Sequence, residues 1–362
     1  MHRIDLSYTL GRARREQRES AVHHPLLALL DALHRSGSIS AAARLQGLSY
    51  RHVWGELKRW EGELGRELVV WAKGQPATLT PFGEKLLWAE RRAQARLAPQ
   101  IEALRSELES AFADAFDDRI DVLAVCASHD QALPLLRELA RREQLHLDLS
   151  FAGSLDALTA LNEGRCQLAG FHVREGAVRG SASARAYRPK LKPGLHKLIG
   201  FAQRTQGLMA APGNPLTIEG LHDLARPALR RAGRAPGTGT RVLLDELLAE
   251  ARIALSADTL IEPSHGAVAQ AVASGAADVT FGLEAAARAA GLHFVPIAQE
   301  RYYLVTLKSL LAEPALQRLI ALLASSAWAS ELATLPGYAP SQPGAVLSLT
   351  QTLPWWKYAP KA

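Results

Sequence analysis

The chain is poor in cysteine and contains no long apolar run. Its two cysteines in 362 residues, Cys126 and Cys166, lie in short apolar stretches, so we expect buried thiols, with a disulfide or redox switch as the alternative. No run of about 18 apolar residues is present, which predicts no transmembrane helix. The N-terminal arginines are followed by no apolar segment of the signal-peptide type. These absences predict a reduced, cytoplasmic protein without a membrane partner.

Length and charge set further bounds on the protein. A chain of 362 residues with 48% hydrophobic and 22% charged residues indicates a globular protein of two or three domains. The formal net charge is +6 and the isoelectric point is about 9.4. This excess favours a polyanionic partner, although charge alone does not identify one. Residues 1–20 form a basic N-terminal tail.

Residues 36–60 predict two short helices joined by a tight turn. Ser38 is placed to cap a helix over Ile39–Leu45, Gly47 suits the turn, and Ser49 is placed to cap the second helix. In the second helix Val53, Leu57 and Trp60 share one face, and the basic and aromatic side chains lie elsewhere. Such a unit is typical of DNA readers. An ordinary helical hairpin with a solvated basic face is the alternative.

The next segment predicts a wing. An apolar run over 68–71, a Lys-Gly-Gln-Pro turn over 73–76 and a second short strand over 77–80 place Lys73 at the tip. Together with the helical pair this predicts a winged helix-turn-helix over residues 21–81. The candidate DNA contacts are Ser38, Ser49, Tyr50, Arg51, His52, Trp54, Lys58 and Lys73.

A linker helix follows over residues 82–117. It is rich in strong helix formers, and Leu97, Ile101, Leu104 and Leu108 recur at the spacing of a paired-helix seam. Pro99 should kink this helix or start a new one. We expect the seam to join two chains, giving a homodimer or a dimer of dimers. Packing of the helix on its own domain is the alternative.

From residue 118 onward short strands alternate with helices. This alternation predicts an α/β region with parallel sheets covered by helices on both faces. Glycine- and proline-rich breaks divide the region into lobe I, about 118–195 and 292–362, and lobe II, about 196–291. The predicted strands include 198–201, 207–211 and 302–307.

Polar residues gather where the predicted strands end. The segments 127–130, 153–154, 237–241 and 263–266 each lead into a helix with Ser, Thr or Gly near its start. Free N–H groups and the positive end of a helix dipole favour an anion. Each Ser or Thr is otherwise a simple N-cap. A metal site formed by His129, His172 and His265 is a weaker alternative, because no pair has helical ligand spacing.

Two resemblances extend this interpretation. The stretch GSISAAARLQGLSYRHVWGELKRWEGELGRELV, followed by LTPFGEKLL, resembles the winged helix-turn-helix of LysR-type regulators and of the ModE molybdate regulators. Segments such as ASHDQAL, FAGSLDALTAL and APGTGTRVLLDELL resemble the periplasmic-binding-protein-like domain that accompanies ModE-like units. The resemblance implies a two-lobed, type 2 binding-protein fold with a small ligand between the lobes.

The resemblance also implies a site and a function. The implied ligand lining is Ser128, His129, Asp130, Ser154, Thr238, Gly239, Thr240, Arg241 and His265. The implied ligand is molybdate, tungstate, a molybdopterin species or a small carboxylate such as formate. We therefore expect a one-component transcriptional regulator with no catalytic residues, cofactor or bound metal, and with RNA polymerase as a further candidate partner. A molybdopterin-pathway or hydrolytic enzyme that uses the cleft is the alternative.

Overall fold

The computed structural model describes residues 24–71, 75–116, 121–176 and 178–356. The basic tail and Lys73 lie outside the described residues. The chain divides between Ala98 and Pro99 into two compact units, and each is treated by itself. Among the described residues, no helix combines the length and the apolar character that a membrane span requires.

The N-terminal unit is a helix-turn-helix with a small wing. Its elements are α1 Pro25–Ser36, α2 Ile39–Leu45, α3 Tyr50–Leu64, β1 Val69–Val70 and β2 Thr78–Leu79. Ser38 Oγ accepts the backbone N–H of Ala41, and Ser49 Oγ accepts that of His52, so both predicted caps are present. The turn residue Gly47 has φ +64°. The strands β1 and β2 pair antiparallel.

The linker helix α4 spans Pro81–Phe116 and runs through Pro99. The expectation that a new helix starts at this proline is therefore wrong. A proline removes one donor from the helical hydrogen-bond ladder, and the strong helix formers on both sides keep the helix continuous. Beyond the proline, Ser106 is fully buried and binds the edge strand Leu145–Phe151. Its Oγ donates to Leu147 O at 3.1 Å and accepts Leu149 N–H at 2.6 Å.

The C-terminal unit alternates strands and helices. Its first elements are β3 Asp121–Ala127, α5 Ala132–Arg142, β4 Leu145–Phe151, α6 Ser154–Asn162, β5 Leu168–Arg174 and α7 Ala182–Tyr187. Next come β6 His196–Ala210, β7 Arg231–Arg234, α8 Gly239–Glu250, β8 Leu260–Glu262, α9 His265–Ala273, β9 Val279–Leu283 and α10 Glu284–Ala289. The last are β10 His293–Leu307, α11 Pro314–Leu323, α12 Ser326–Leu332, β11 Tyr338–Ala339, β12 Val346–Ser348 and α13 Leu349–Thr352.

One curled, mixed sheet joins the two lobes. Its main strand order is β4-β3-β5-β10-β6-β9-β7-β8, and β11 and β12 also pair with β6. The strands β3, β4 and β5 are parallel in lobe I, and β7, β8 and β9 are parallel in lobe II. The 15-residue strands β6 and β10 pair with each other antiparallel and run from one lobe to the other.

The parallel pairing that was expected holds within each lobe, and the two crossing strands β6 and β10 add an antiparallel centre. The two predicted strands 198–201 and 207–211 are parts of the single strand β6, which ends at Ala210. The polar residues at the centre of β6 separate two apolar stretches, and the sequence therefore predicted two strands. The polar residues at this centre are buried and paired, as described below. The predicted architecture of a helix-turn-helix with a wing, a linker helix and a two-lobed α/β domain is confirmed.

The apolar core of lobe I lies on both faces of its sheet. On one face α5, α11 and α12 pack against the strands, and Trp328 stacks on Phe201 with ring centroids 5.0 Å apart. On the other face α6 and α7 pack with Trp355. Cys126 and Cys166 belong to this second core as buried free thiols. The structure therefore contains no disulfide between them.

Candidate functional site

The first candidate surface lies on α3 and is called here the recognition surface: Tyr50, Arg51, His52 and Trp54, all exposed. Val53 and Leu57 on the opposite side of α3 are buried in the core of the N-terminal unit. The helix is thus anchored by one face and presents a basic, aromatic face at its N-terminal end. Such a face is suited to the major groove of DNA.

The wing strand is attached directly to α3. Glu61 Oε1 accepts the backbone N–H groups of Leu68 at 2.9 Å and Val69 at 3.3 Å. The other carboxylate oxygen of Glu61 binds Lys58 Nζ at 2.7 Å. Lys58, a predicted DNA contact, is therefore already paired on its own helix. Arg51 forms no ion pair within the part of the chain that the structure describes.

The second candidate site lies where strand ends of the two lobes meet. The N-terminus of α6 in lobe I and the loop before α8 in lobe II are in contact. A Cβ on Gly239 would lie 3.0 Å from His172 Cδ2 and 3.1 Å from Ser154 Oγ, and one on Gly153 would lie 3.1 Å from Gly237 O. A larger residue at either position would therefore have to displace its neighbours by a few tenths of an ångström. The four predicted helix starts, at 127–130, 153–154, 237–241 and 263–266, lie close together at this site.

A buried ionic group spans the crossing strands. Arg204 on β6 donates through Nη1 to Asp130 and through Nε to Glu300 on β10, and each of the three side chains is about 1% exposed or less. Tyr338 also donates its hydroxyl to Asp130, at 2.8 Å. Burial lowers the pKa of Arg204, but Glu300 and Asp130 outweigh it and raise that pKa overall. Burial raises the pKa of Glu300.

Hydrogen bonds continue from this group into lobe II. Gln206 Nε2 donates to Glu300 Oε1 at 2.7 Å and reaches Thr240 Oγ1 at 3.5 Å. Thr240 Oγ1 in turn lies 3.2 Å from His265 Nε2. The contacts thus join lobe I, the crossing strands and lobe II through polar side chains. We call the set Asp130, Arg204, Glu300, Gln206, Thr240 and His265, with Arg234 beside it, the interlobe cluster.

The histidines of the site are held neutral. Ser128 Oγ lies 2.7 Å from His172 Nε2. Burial, reinforced by nearby arginines, lowers the pKa of His172 and of His265 well below the ordinary value. Burial also lowers the pKa of His129 to about 4, against an opposing effect of Asp130. Among the described residues, no group of three or more His, Cys, Asp or Glu side chains is placed to bind a metal ion.

At this site Arg241, a predicted lining residue, is paired with acids, whereas the buried Arg234 forms no ion pair among the described residues. Arg241 donates to Asp245 Oδ1 at 2.8 Å and to Asp258 Oδ2 at 2.8 Å. Arg234, at the end of β7, is 5% exposed, and neither its Nε nor its Nη1 has a hydrogen-bond partner. Acids outside the 237–241 loop therefore neutralise Arg241, which is one of the predicted lining residues.

The remaining predicted lining residues have local roles that the structure makes plain. Thr238 caps α8 by accepting Arg241 N–H, and Ser264 caps α9 by accepting Ala267 N–H. Ser154 is the first residue of α6, and Gly153 is its N-cap. Asp130 caps α5 through Ala132 N–H at 2.8 Å while it pairs with Arg204.

Four residues of the interlobe cluster were missed by reasoning from the sequence. They are Arg204, Gln206, Arg234 and Glu300. The signal available in the sequence was the presence of cations inside strand-like segments, FAQRTQGL and RRAGR. Charged residues in such segments are rarely buried unless they are paired or functional.

Comparison with known protein families identifies both units. The family model of the PBP superfamily domain matches residues 136–324, more than half of the chain. The chain belongs to the PBP superfamily. Ahead of its PBP domain it carries a bacterial regulatory helix-turn-helix of the lysR family, matched over residues 25–84. The predicted combination of a LysR-type helix-turn-helix with a binding-protein-like domain is thereby confirmed.

Three curated proteins share parts of this PBP-superfamily chain. An uncharacterized protein, YvgK of Bacillus subtilis, is 33% identical over 54% of this chain and 64% of its own. The molybdenum-pterin-binding protein MopB of Rhodobacter capsulatus is 40% identical over 23% of this chain and 32% of its own. The HTH-type transcriptional regulator AbaB of Streptomyces antibioticus is 32% identical over 40% of this chain and 46% of its own.

These matches are partial. The chain spans between about one third and about two thirds of the length of these curated relatives. Among solved structures, the probable transcriptional regulator PA0477 of Pseudomonas aeruginosa matches 83% of this chain and 95% of its own, with 20% identity and a TM-score of 0.44.

Proposed function

We propose that this protein is a ligand-responsive transcriptional regulator that binds double-stranded DNA and senses a small anion between its lobes. The observation that carries the DNA-binding part is the recognition surface of α3, exposed within a unit that matches the lysR family of regulatory helix-turn-helix proteins. The relative AbaB, named as an HTH-type transcriptional regulator, supports the same assignment.

The experiment compares three arginine and lysine variants on DNA. Arg51→Ala should relax sequence preference by about 1–3 kcal/mol, because side chains at the start of a recognition helix reach base edges. Lys73→Ala should weaken binding to all sequences alike and reduce the salt slope by about one, as expected for a phosphate contact. Binding is measured on the promoter of its own operon and on a scrambled duplex, over a series of salt concentrations.

A matched control comes from the same helix. Arg59 is an exposed cation of α3 that is already engaged by Glu56 and Glu63, so Arg59→Ala should change sequence preference much less than Arg51→Ala. If Arg51→Ala, Lys73→Ala and the control all bind the promoter like the wild type, the recognition surface is not a DNA reader.

The proposed effector is a small anion. The candidates are molybdate, tungstate, a molybdopterin species and a small carboxylate such as formate, and the partial likeness to a molybdenum-pterin-binding protein supports keeping molybdenum species among them. The crossing strands β6 and β10 connect the cleft to both lobes. We propose that a bound anion shifts the lobes between pre-existing arrangements and that a homodimer or dimer of dimers passes this shift to its DNA readers.

The hydrolytic alternative lacks support in the site. The hydrogen bonds of Ser128 and Asp130 lead elsewhere, because Ser128 contacts His172 and Asp130 pairs with Arg204. His172 Nδ1 has no hydrogen-bond partner, so no carboxylate orients that ring as a catalytic triad requires. The geometry therefore favours a binding site over this enzymatic use of the cleft.

A further inference from the structure

Arg234 is buried without any of the partners that a buried guanidinium needs. Its side chain forms no ion pair with a carboxylate in the described parts of the chain, and its Nε and Nη1 are unpartnered. Burying a charge in this way is costly unless an opposite charge is supplied. Burial, together with the like charge of Arg204, lowers the pKa of Arg234 to about 10.

A second arginine on the same strand shows what a structural role looks like. Arg231, three residues earlier on β7, is 6% exposed and just as deeply placed. Its guanidinium donates to Leu224 O at 3.0 Å and Ser256 O at 2.8 Å, and lies 3.5 Å from Asp258. Arg204 likewise has two carboxylates. Arg231 and Arg204 thus each have a carboxylate within ion-pair distance, although Arg231 Nε makes no hydrogen bond, whereas Arg234 has no carboxylate partner among the described residues.

The surroundings of Arg234 add positive potential from both lobes. It is close enough to lower the pKa of His129 in lobe I and of His265 in lobe II, beyond the larger effect of burial. The helices α6, α8 and α9 all begin at the site, at Ser154, Gly239 and His265. Their N-termini carry free N–H groups and positive partial charge.

The nearby acids do not offset this charge. Asp130 and Glu300 are both taken by Arg204, and Gln206 also donates to Glu300. Arg234 forms no ion pair among the described residues, although Glu262 is aligned with it across the β7–β8 pair. The contact between Gly239 and Ser154 keeps the lobes close on one side, which limits what fits between them to a compact group.

We propose that Arg234 anchors the ligand of the interlobe cleft and that this ligand is a compact oxoanion, with either a carboxylate or a tetrahedral oxoanion group, held by the Nε and Nη1 donors. This inference rests on the proposed function and assigns the ligand specificity of the cleft to Arg234. A planar guanidinium fork binds two oxygens of one anion at once. Such an anion supplies the negative charge that no described residue places beside Arg234.

The experiment measures anion binding to the full-length protein by calorimetry and thermal shift. The probes are sodium formate, molybdate and sulfate, so that a carboxylate and two tetrahedral oxoanions are compared. At least one probe should raise the melting temperature of the wild type. Arg234→Gln should bind that probe about 10- to 150-fold more weakly, the range for losing a buried charged hydrogen bond. Arg234→Lys keeps the charge but loses the fork, and should fall between the two.

Two control variants separate ligand binding from folding. Arg241→Gln removes a cation already paired with Asp245 and Asp258, so its anion affinity should stay within about twofold of the wild type. Without anion, Arg234→Gln should melt no lower than the wild type, because an unpaired buried charge is removed. Arg231→Gln should melt lower, because it leaves the carbonyls of Leu224 and Ser256 without their donor.

The outcomes distinguish this inference from the proposed function. Undiminished anion binding by Arg234→Gln, or no response of the wild type to any of the three probes, overturns the anchoring role of Arg234. In either case DNA binding by the wild type would leave the DNA-binding part of the proposed function standing. Loss of probe binding in Arg241→Gln but not in Arg234→Gln would assign the anion-anchoring role to Arg241, which belongs to the predicted lining.

Discussion

Acid should destabilise the PBP domain through its three neutral histidines. Burial lowers the pKa of His129 to about 4 and lowers those of His172 and His265 well below their ordinary value. In the unfolded chain the same rings take up a proton near pH 6.5, so below that pH the unfolded state binds more protons. Stability is therefore greatest above about pH 6.5 and is lost as the pH falls toward the folded pKa values. From pH 7 to pH 5 a ring that stays neutral in the folded domain should cost about 2 kcal/mol.

His265→Gln isolates one of these contributions. The amide can keep a hydrogen bond to Thr240, which now lies 3.2 Å from the ring nitrogen, but it cannot titrate. The free energy of unfolding of this variant should fall by about 2 kcal/mol less than that of the wild type between pH 7 and pH 5. Urea titrations read by pulse proteolysis, with peptides from the PBP domain quantified, measure this difference.

An exposed histidine of the same domain provides a matched control for His265→Gln. His293 is an exposed residue of the same domain, so His293→Gln should change the pH slope far less than His265→Gln. If His265→Gln loses as much stability toward pH 5 as the wild type, then His265 is not held neutral by burial in the folded domain, and the electrostatic description of the interlobe cluster is incorrect.

Two further predictions concern the lobes and the assembly. Arg174 at the end of β5 in lobe I pairs with Glu246 and Glu250 on α8 in lobe II. Arg174→Gln should therefore favour opening of the lobes and give a faster anion off-rate in stopped-flow. An unchanged off-rate would show that these ion pairs do not hold the lobes closed. Leu104 is 51% exposed and Ile101 is half-buried, so replacing both with Glu should leave one chain folded but cost a dimer seam several kcal/mol. Sedimentation should then show monomers, and an unchanged oligomer would move the interface elsewhere.

Local features were predictable because the interactions that create them are local. Ser38 and Ser49 accept N–H groups three residues ahead, and Gly47 supplies a left-handed turn, so each signal lies within a few residues of its effect. The alternation of strands and helices after residue 118 was predictable for the same reason. The combination of a winged helix-turn-helix with a two-lobed domain followed from these patterns and from family resemblance.

The partners of charged residues were not predictable, because they come from distant parts of the chain. Arg204 is paired with acids 74 and 96 positions away, and those pairs allow the polar centre of β6 to be buried in one continuous strand. The sequence shows arginines at positions 231, 234 and 241 without telling which has a carboxylate beside it. Only the folded chain brings Asp258 to Arg231 and Arg241 and leaves Arg234 buried and unpaired, because Coulomb energies depend on distances that the tertiary structure alone fixes.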